Sequence, residues 1–389
     1  MYHYQLTQFI AVLALLIGCT SRSQVDDSLQ SSSKRLKLPE LSQAPLAPAV
    51  ALTADYFRKS YPYLSAEQFQ QKWVHSQKSG LLFMRSYVNT WYDELARVSS
   101  TGPIGPCLGD PHPENFGYLL FGGTFEYTAN DVDDSGACPV IFDALRYFTT
   151  LKFVIKDSAL EAELRRAYVG FLNGEVMADR PSHSLRPDAA ALVNKLLKQS
   201  TKKGKIKLEG PIVALAASQG QTLLSILQAN GCPTCKFLDA AQLRVNSGGS
   251  AGLERYLLLV EAPDSTPQLL EFKQLTDPAA QRGPWAQQQK LSRGDILEDM
   301  WGKTWPDYFA FVTWEGKSFL LRNRLSADLD LNPLSPEQKK AVLTEQVFIL
   351  AQLHKKTLNG STLLEEWLGR QSEWQSQRYA EALLGARGH

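Results

Sequence analysis

The sequence predicts an α+β fold in which a strand-rich segment lies between two helical blocks. Helical patterns predominate in residues 52–198, strand patterns occupy about 240–325, and helical periodicity returns at Ser335. A chain of 389 residues with 44% hydrophobic residues can bury a large core. We therefore expect one folded domain over residues 51–389, with the strand-rich part as a separate lobe.

The first helical block is marked by a cap and by an apolar face. Ser65-Ala-Glu-Gln68 has the hydroxyl, and the Gln three residues later, of a capping box. Within residues 78–98, Phe83, Tyr87 and Trp91 share one helical face. Further helices are expected at about 142–156, 159–177 and 187–198.

Strand patterns bounded by turn residues follow later in the chain. Strands are expected at 244–246, 255–261, 268–273, 308–313 and 317–323. Gly122-Gly123 predicts an earlier hairpin turn, and the lysine-rich run Lys198–Lys207 predicts a solvated loop rather than a phosphate or lipid-headgroup site. Ser335-Pro-Glu-Gln338 begins a helix that extends to about Lys356, and a last helix is expected at 361–385.

The total charge limits the class of partner. The 41 Lys and Arg residues balance 40 Asp and Glu residues. This balance gives no reason to expect a nucleic-acid partner.

The N-terminus resembles a lipoprotein export signal. Residues 9–17 are an unbroken apolar run, too short to span a bilayer, and Leu16-Ile-Gly-Cys19 resembles a bacterial lipobox. We expect a signal peptide at 1–18, lipidation of Cys19, a disordered tether at 19–50, and anchoring on the periplasmic side of the outer membrane. Residues 1–8 contain no Lys or Arg, so a frayed hydrophobic terminus is the alternative.

Four further cysteines suggest disulfides in an oxidising compartment. Cys232-Pro-Thr-Cys235 is typical of a redox pair or half a zinc site, but no second Cys/His pair with ligand spacing accompanies it, so a local structural disulfide is expected. Cys107 and Cys138 flank a polar segment, and a bridge between them would hold that segment in place.

This polar segment carries the residue types that phosphoryl transfer requires: a carboxylate near the acceptor hydroxyl and oxygen ligands for Mg²⁺. Asp110 is the candidate base, with His112 beside it. Asn115, Asp131 and Asp133 are the candidate metal ligands. For His112 we weigh a catalytic role against the bracing of its own loop.

The string Gly109-Asp-Pro-His-Pro-Glu-Asn115, followed by Asn130–Gly136 and Phe142-Asp143, resembles the catalytic loop and metal segment of aminoglycoside-phosphotransferase-type kinases. The resemblance implies that Asp110 is the catalytic Asp and that Asn115 and Asp131 bind metal. It also implies that Asp143 is a buried brace of the loop.

Leu108–Arg146, with Phe83-Met-Arg-Ser86 upstream, closely resembles the bacterial family called domain of unknown function 2252, which is regarded as kinase-like. This resemblance covers most of residues 50–360. Because the catalytic loop precedes the Gly-rich strands here, it implies a two-lobed, protein-kinase-like fold in circularly permuted order.

In that family a Gly-rich strand pair follows the catalytic loop, which implies phosphate binding by Ser247, Gly248, Gly249, Gly252 and Lys273. A plain hairpin turn is the alternative for the glycines. A lysine in an apolar strand needs a partner, and Glu298 and Asp299 are the candidates.

Three other residues could have structural rather than functional roles. His354 is expected on a helix face next to the core. Arg85 and Arg322 either line the cleft or only pair with the acidic cluster.

Three functions compete at this stage. The leading one is a Mg²⁺- and ATP-dependent phosphotransferase of unknown acceptor, although a periplasmic protein does not meet a steady ATP supply. A metal-dependent phosphoesterase suits the periplasm better, but the chain has only six histidines. The third is a non-catalytic lipoprotein that binds a small molecule or an envelope partner in a kinase-like cleft.

Overall fold

The computed structural model describes residues 50–97, 102–245, 249–325 and 327–387. The predicted signal peptide, Cys19 and nearly all of the tether lie outside these residues. The helices are α1 (Ala54–Lys59), α2 (Ala66–Ser76), α3 (Gly80–Ser86), α4 (Val88–Leu95), α5 (Val140–Leu151), α6 (Ser158–Leu172), α7 (Ser182–Leu185), α8 (Ala189–Ser200), α9 (Ala217–Ala229), α10 (Arg293–Trp301), α11 (Pro336–His354) and α12 (Thr362–Arg387).

The strands form several separate sheets, so the α+β class is confirmed. They are β1 (Ile104–Cys107), β2 (Phe116–Phe121), β3 (Thr124–Ala129), β4 (Gly136–Pro139), β5 (Thr201–Lys202), β6 (Lys205–Ile206), β7 (Ile212–Ala214), β8 (Lys236–Leu243), β9 (Arg255–Glu261), β10 (Pro267–Gln274), β11 (Ala310–Trp314), β12 (Lys317–Asn323) and β13 (Ala327–Asp328).

Local signals predicted several elements well. Both predicted capping boxes are present, at Ser65 before α2 and at Ser335 before α11. Strands β9 and β12 have the predicted bounds. The turn Gly122-Gly123 joins β2 and β3 into a hairpin.

Other predictions need correction. The helix expected at 142–156 ends at Leu151, and residues 78–98 form two helices, α3 and α4, rather than one. Arg244 follows β8 instead of beginning a strand. The lysine-rich run is the end of α8 and the small β5–β6 hairpin rather than a loop, although its residues are largely exposed as expected.

The largest sheet is antiparallel, in the order β11-β12-β10-β9-β8-β7. Side chains alternate between its two faces. Leu270 and Phe272 of β10 pack on one face, in a core that includes Leu223 and Leu227 of α9. Glu271 and Lys273 therefore project from the opposite face, and both are buried there.

The helices build a second, larger core that is rich in aromatic residues. Phe57, Trp73, Phe83 and Tyr87 bring α1, α2 and α3 together, with ring centroids of Phe57 and Tyr87 only 4.5 Å apart. Aromatic side chains bury the largest areas and contribute most to such a core. Among the described residues, no helix is both long and apolar enough to cross a membrane.

A short strand pair positions the polar segment that the sequence singled out. Strands β1 and β4 are antiparallel, and the Cys107–Cys138 disulfide joins them. Their sulfur atoms lie close to the Asp143 carboxylate but are bonded to each other, so they are not thiolate metal ligands. Cys232 and Cys235 form the second disulfide, and both are buried.

Candidate functional site

One cavity of about 250 Å³ lies where the polar loops face the large sheet. Loop 108–115, loop 130–135 and the segment 249–255 contribute to its wall, together with the end of β10. Seven of the predicted site residues line it: Asp110, His112, Asn115, Asp131, Asp133, Gly249 and Lys273. Two others, Ser247 and Gly248, lie outside the described residues.

The loop that carries Asp110 is held by hydrogen bonds to Asp143. This carboxylate is fully buried in α5 and accepts hydrogen bonds from the backbone N–H groups of Leu108 and Gly109, each at 2.8 Å. Tyr92 also donates to it, and His354 Nε2 lies 3.1 Å from it. His354 lies on α11 next to the core, as the sequence predicted, and is a fully buried polar partner of Asp143.

Gly109 gives the loop its sharp bend. Its φ is +84°, a conformation that side chains with a Cβ rarely adopt. A Cβ at this position would lie 1.9 Å from the backbone oxygen of Asp134. Glycine therefore lets the loops of Asp110 and Asp134 approach each other.

Asp110 is oriented by a residue that the sequence did not single out. Arg146 of α5 donates through Nε (2.7 Å) and lies within 2.6 Å through Nη2, both to Oδ1 of Asp110. The same guanidinium donates to the backbone oxygen of Met84, 3.0 Å away. Burial raises the pKa of the Asp110 carboxyl, an effect that the Arg146 charge opposes.

His112 is buried and caps its own loop. Its Nδ1 accepts a hydrogen bond of 3.2 Å from the N–H of Glu114, so the proton of the neutral ring lies on Nε2. Nε2 is 3.8 Å from Oδ2 of Asp110. Burial, with Arg85 and Arg146 nearby, holds the pKa of His112 well below its ordinary value, which favours bracing over proton transfer.

Asn115 ends the same loop. Its Nδ2 donates a hydrogen bond of 2.9 Å to the backbone oxygen of Asp110. The amide group is thereby fixed, and its Oδ1 is the atom available for a cation.

Lys273 connects the sheet to loop 130–135. Its Nζ donates to Oδ1 of Asp131 at 2.9 Å and also pairs with Asp133. The expected partners, Glu298 and Asp299, are not its partners: Asp299 pairs with Lys356 instead. The correction has a topological reason, because β10 places Lys273 against loop 130–135.

The two aspartates differ in their electrostatics. Burial alone would raise the pKa of Asp131, but Lys273 and Arg322 hold it well below its ordinary value. Burial and the neighbouring Asp131 charge raise the pKa of Asp133 to about 6. Asp134, which the sequence reading passed over, also has a pKa raised to about 6, by burial and by Asp110.

The Gly-rich segment is partly a wall of the cavity and partly a packing element. Gly249 is exposed and lines the cavity with Ser250. Gly252 has φ +77°, and a Cβ there would lie 2.6 Å from Leu64 Cδ2. Its role in the structure is close packing against the chain before α2.

A buried lysine of α2 reaches this segment. Lys72 is fully buried, and its Nζ lies 4.6 Å from the ring centroid of Tyr61 and 5.5 Å from that of Tyr87. It also donates to the backbone oxygen of Gly249 at 3.4 Å. A lysine on the apolar face that includes Phe69 was the sequence signal for this contact.

Two more charged residues were missed. Glu271 of β10 is fully buried, and Arg255 of β9 lines the cavity. A glutamate in an apolar strand, two residues before Lys273, was a usable signal, as was Arg146 in the mostly apolar segment 140–151. Arg85 lines the cavity and pairs with Glu114, while Arg322 pairs with Glu271.

The donor set suits a hard divalent cation. Asp131, Asp133 and Asn115 offer carboxylate and amide oxygens, and Mg²⁺ is commonly held by one or two carboxylates together with substrate phosphates. Oδ1 of Asp133 is buried and has no hydrogen-bond partner among the described residues. An unpartnered buried carboxylate oxygen fits a cation ligand.

Known proteins add no further guide to this site: no protein-family model, no curated protein and no solved structure matches the chain. The resemblance to domain of unknown function 2252 stays a prediction.

Proposed function

We propose that the protein is a Mg²⁺-dependent phosphotransferase that takes its phosphoryl group from ATP or another nucleotide. The observation that carries the proposal is the convergence on one cavity of Asp110, Asn115, the pair Asp131 and Asp133, and Lys273. These are the residue types that position and neutralise a transferring phosphoryl group. Lys273 comes from β10 of the large sheet, whereas Asp131 lies in loop 130–135, and 142 positions separate them in the chain.

Asp110 is the proposed base for the acceptor hydroxyl. Arg146 holds Oδ1, which leaves Oδ2 to accept the proton. A carboxyl pKa raised by burial suits this role, because a base works best when its pKa approaches the operating pH. Arg146 is then a positioning residue.

Asn115, Asp131 and Asp133 would hold Mg²⁺, which when bound neutralises charge on the phosphates. Lys273, which pairs with both aspartates, would then also be a partner for the phosphate oxygens. The segment around Gly249 and Ser250 also lines the cavity. A cavity of about 250 Å³ suits the phosphate chain better than a whole nucleotide.

The fold we propose is two-lobed and protein-kinase-like, in circularly permuted order. The large sheet with Lys273 would be the nucleotide lobe, although it follows the catalytic loop in the chain. The Asp143 contacts with the N–H groups of Leu108 and Gly109 support the brace that the kinase resemblance implies. The protein would act as a lipoprotein anchored through Cys19 at the outer membrane.

Thermal unfolding of the full-length protein with MgATP, MgGTP, Mg²⁺ alone and Mn²⁺ alone tests the proposal. A ligand at 100 times its Kd stabilises by about 2.7 kcal/mol. We expect the shift to require metal and nucleotide together, to survive in Asp110→Asn and to disappear in Asp131→Asn. Asp264→Asn, in an exposed turn, is the matched control.

The other outcomes select the other functions. A shift with metal alone would favour a phosphoesterase. The absence of any shift would contradict a nucleotide site and favour a cleft that binds a different ligand. Once an acceptor is found, Asp110→Asn should abolish transfer, and retained turnover would refute its role as base.

A further inference from the structure

Arg255 stands beside Lys273 on the wall of the cavity. It is the first residue of β9 and lies directly opposite Lys273 of β10 in the antiparallel register. Directly opposed residues have Cβ atoms about 5 Å apart on the same face of a sheet. Both side chains line the cavity, so two cations face it from adjacent strands.

The Arg255 guanidinium is held in place on two sides. Nη1 donates to Oε1 of Glu271 at 3.2 Å, and Nη2 donates to the hydroxyl of Ser250 in the Gly-rich segment. Nε is buried and has no hydrogen-bond partner among the described residues. One donor of a fixed, planar group thus remains unsatisfied next to the cavity.

Glu271 does not balance the positive charge around it. This fully buried carboxylate is shared by Arg322 at 2.8 Å, Arg255 at 3.2 Å and Arg324 at 3.9 Å. Arg322 also interacts with Asp131 and Asp133, and Arg324 is 45% exposed. Arg255 is therefore the arginine of this cluster that would gain most from an anion in the cavity, because it shares one buried carboxylate with two other guanidinium groups.

The charge of Lys273 points to the same anion. Its present partners, Asp131 and Asp133, are the candidate metal ligands. A divalent cation on those aspartates would leave Lys273 as well as Arg255 without a full counter-charge. Lys273, Arg255 and a bound metal would present several positive charges to the cavity. An anion with several negative charges spread along a chain would complement them.

We propose that Arg255 is a second phosphate-binding cation, positioned by Glu271, and that the site takes a metal-bound polyphosphate chain rather than a single phosphate. This inference rests on the proposed function for its metal and deepens it by assigning the phosphate contacts. Arginine suits the role because its guanidinium group stays charged and holds its donors in a fixed plane.

The test measures binding of Mg²⁺-tripolyphosphate and of MgATP to the full-length protein by titration calorimetry. Arg255→Met should weaken both by at least about tenfold, and Arg255→Lys by a smaller factor because charge remains but the paired donors are lost. Arg324→Met is the matched control. It removes the same type of residue from Glu271, but Arg324 is 45% exposed and does not line the cavity. Its affinities should stay within about threefold of wild type.

The outcomes separate this inference from the proposed function. Equal affinities of wild type, Arg255→Met and Arg255→Lys would overturn the inference alone. Arg255-dependent binding of tripolyphosphate without binding of MgATP would support it and refute the nucleotide donor. Wild-type protein that binds neither anion would overturn both. If Arg255→Met does not fold, the Arg255→Lys affinity decides.

Discussion

At the scale of single residues, the site depends on charged groups held in buried places. Lys72, Arg146, Asp143 and Glu271 are all buried. Each has defined partners, as buried charges require. Lys72 differs from the others because part of its surroundings is aromatic, with Tyr61 and Tyr87 around its ammonium group.

Lys72 should make stability depend on pH in a defined direction. Burial lowers the pKa of Lys72 from 10.5 to about 7, against the opposing charges of Asp134 and Asp110. As pH falls from about 10 towards 7, the unfolded chain binds this proton before the native state does, so native stability decreases. Below pH 7 both states are protonated and the penalty is constant.

We therefore expect Lys72→Met to gain stability relative to wild type as pH falls, by about 1.4 kcal/mol per pH unit between 10 and 7. Urea unfolding at pH 6, 7.5 and 9 measures this difference. Lys59→Met, at an exposed lysine, should show no such trend. A difference that is the same at all three pH values would contradict the buried-ammonium account.

Asp133 should make metal binding depend on pH. A metal ligand must be deprotonated, and the pKa of Asp133 is raised to about 6 by burial and by Asp131. Mn²⁺ or Mg²⁺ affinity should thus fall as pH drops through 6, by about tenfold between pH 7.5 and pH 5. Calorimetric titration at both pH values measures this, and Asp133→Asn should flatten the dependence while Asp264→Asn preserves it. Affinity that does not change with pH would argue against Asp133 as a ligand.

At the scale of elements, the β1–β4 strand pair fixes the position of loop 108–115. The disulfide joins the residue just before loop 108–115 to the strand just before α5. Helix α5 then carries Asp143 and Arg146 on successive turns, and both reach back to the loop. A short strand pair can hold these contacts because the crosslink and the buried helix restrain it from both sides.

The two disulfides should differ in their contribution to stability. Cys107 and Cys138 are 31 positions apart, whereas Cys232 and Cys235 are 3 apart. A crosslink stabilises more when it closes a longer loop, by about 3 to 4 kcal/mol for a loop of some thirty residues. Replacing Cys107 and Cys138 by Ala should therefore cost more in chemical unfolding than the same change at Cys232 and Cys235.

Hydrogen exchange provides a local readout of the same prediction. The amides of Leu108 and Gly109, which donate to Asp143, should exchange faster only when the Cys107–Cys138 bridge is absent. Equal losses of stability for both pairs, with unchanged exchange, would show that the bridge does not hold the loop.

At the scale of the whole molecule, the proposed lipidation of Cys19 has its own test. Cys19→Ser should move the protein from the membrane fraction to the soluble fraction, because the acyl chains would supply the membrane affinity. Fractionation with Ser23→Ala as control measures this. A Cys19→Ser protein that remains in the membrane fraction would contradict lipidation at this residue.

Several features of the fold were predictable because their causes are local. The capping boxes at Ser65 and Ser335 and the bounds of β9 and β12 follow from hydrogen bonding and side-chain alternation within a few residues. The segment from Asp110 to Asp133 could be proposed as a candidate site from the sequence because its polar residues are close together in the chain.

Only the tertiary structure decided which distant charges meet. The sequence suggests Glu298 and Asp299 as partners of Lys273, but the sheet places Lys273 against Asp131 and Asp133. Lys72 reaches Gly249 across 177 positions for the same reason. Such pairings depend on which faces of the sheets and helices pack together, and local pattern carries no information about that packing.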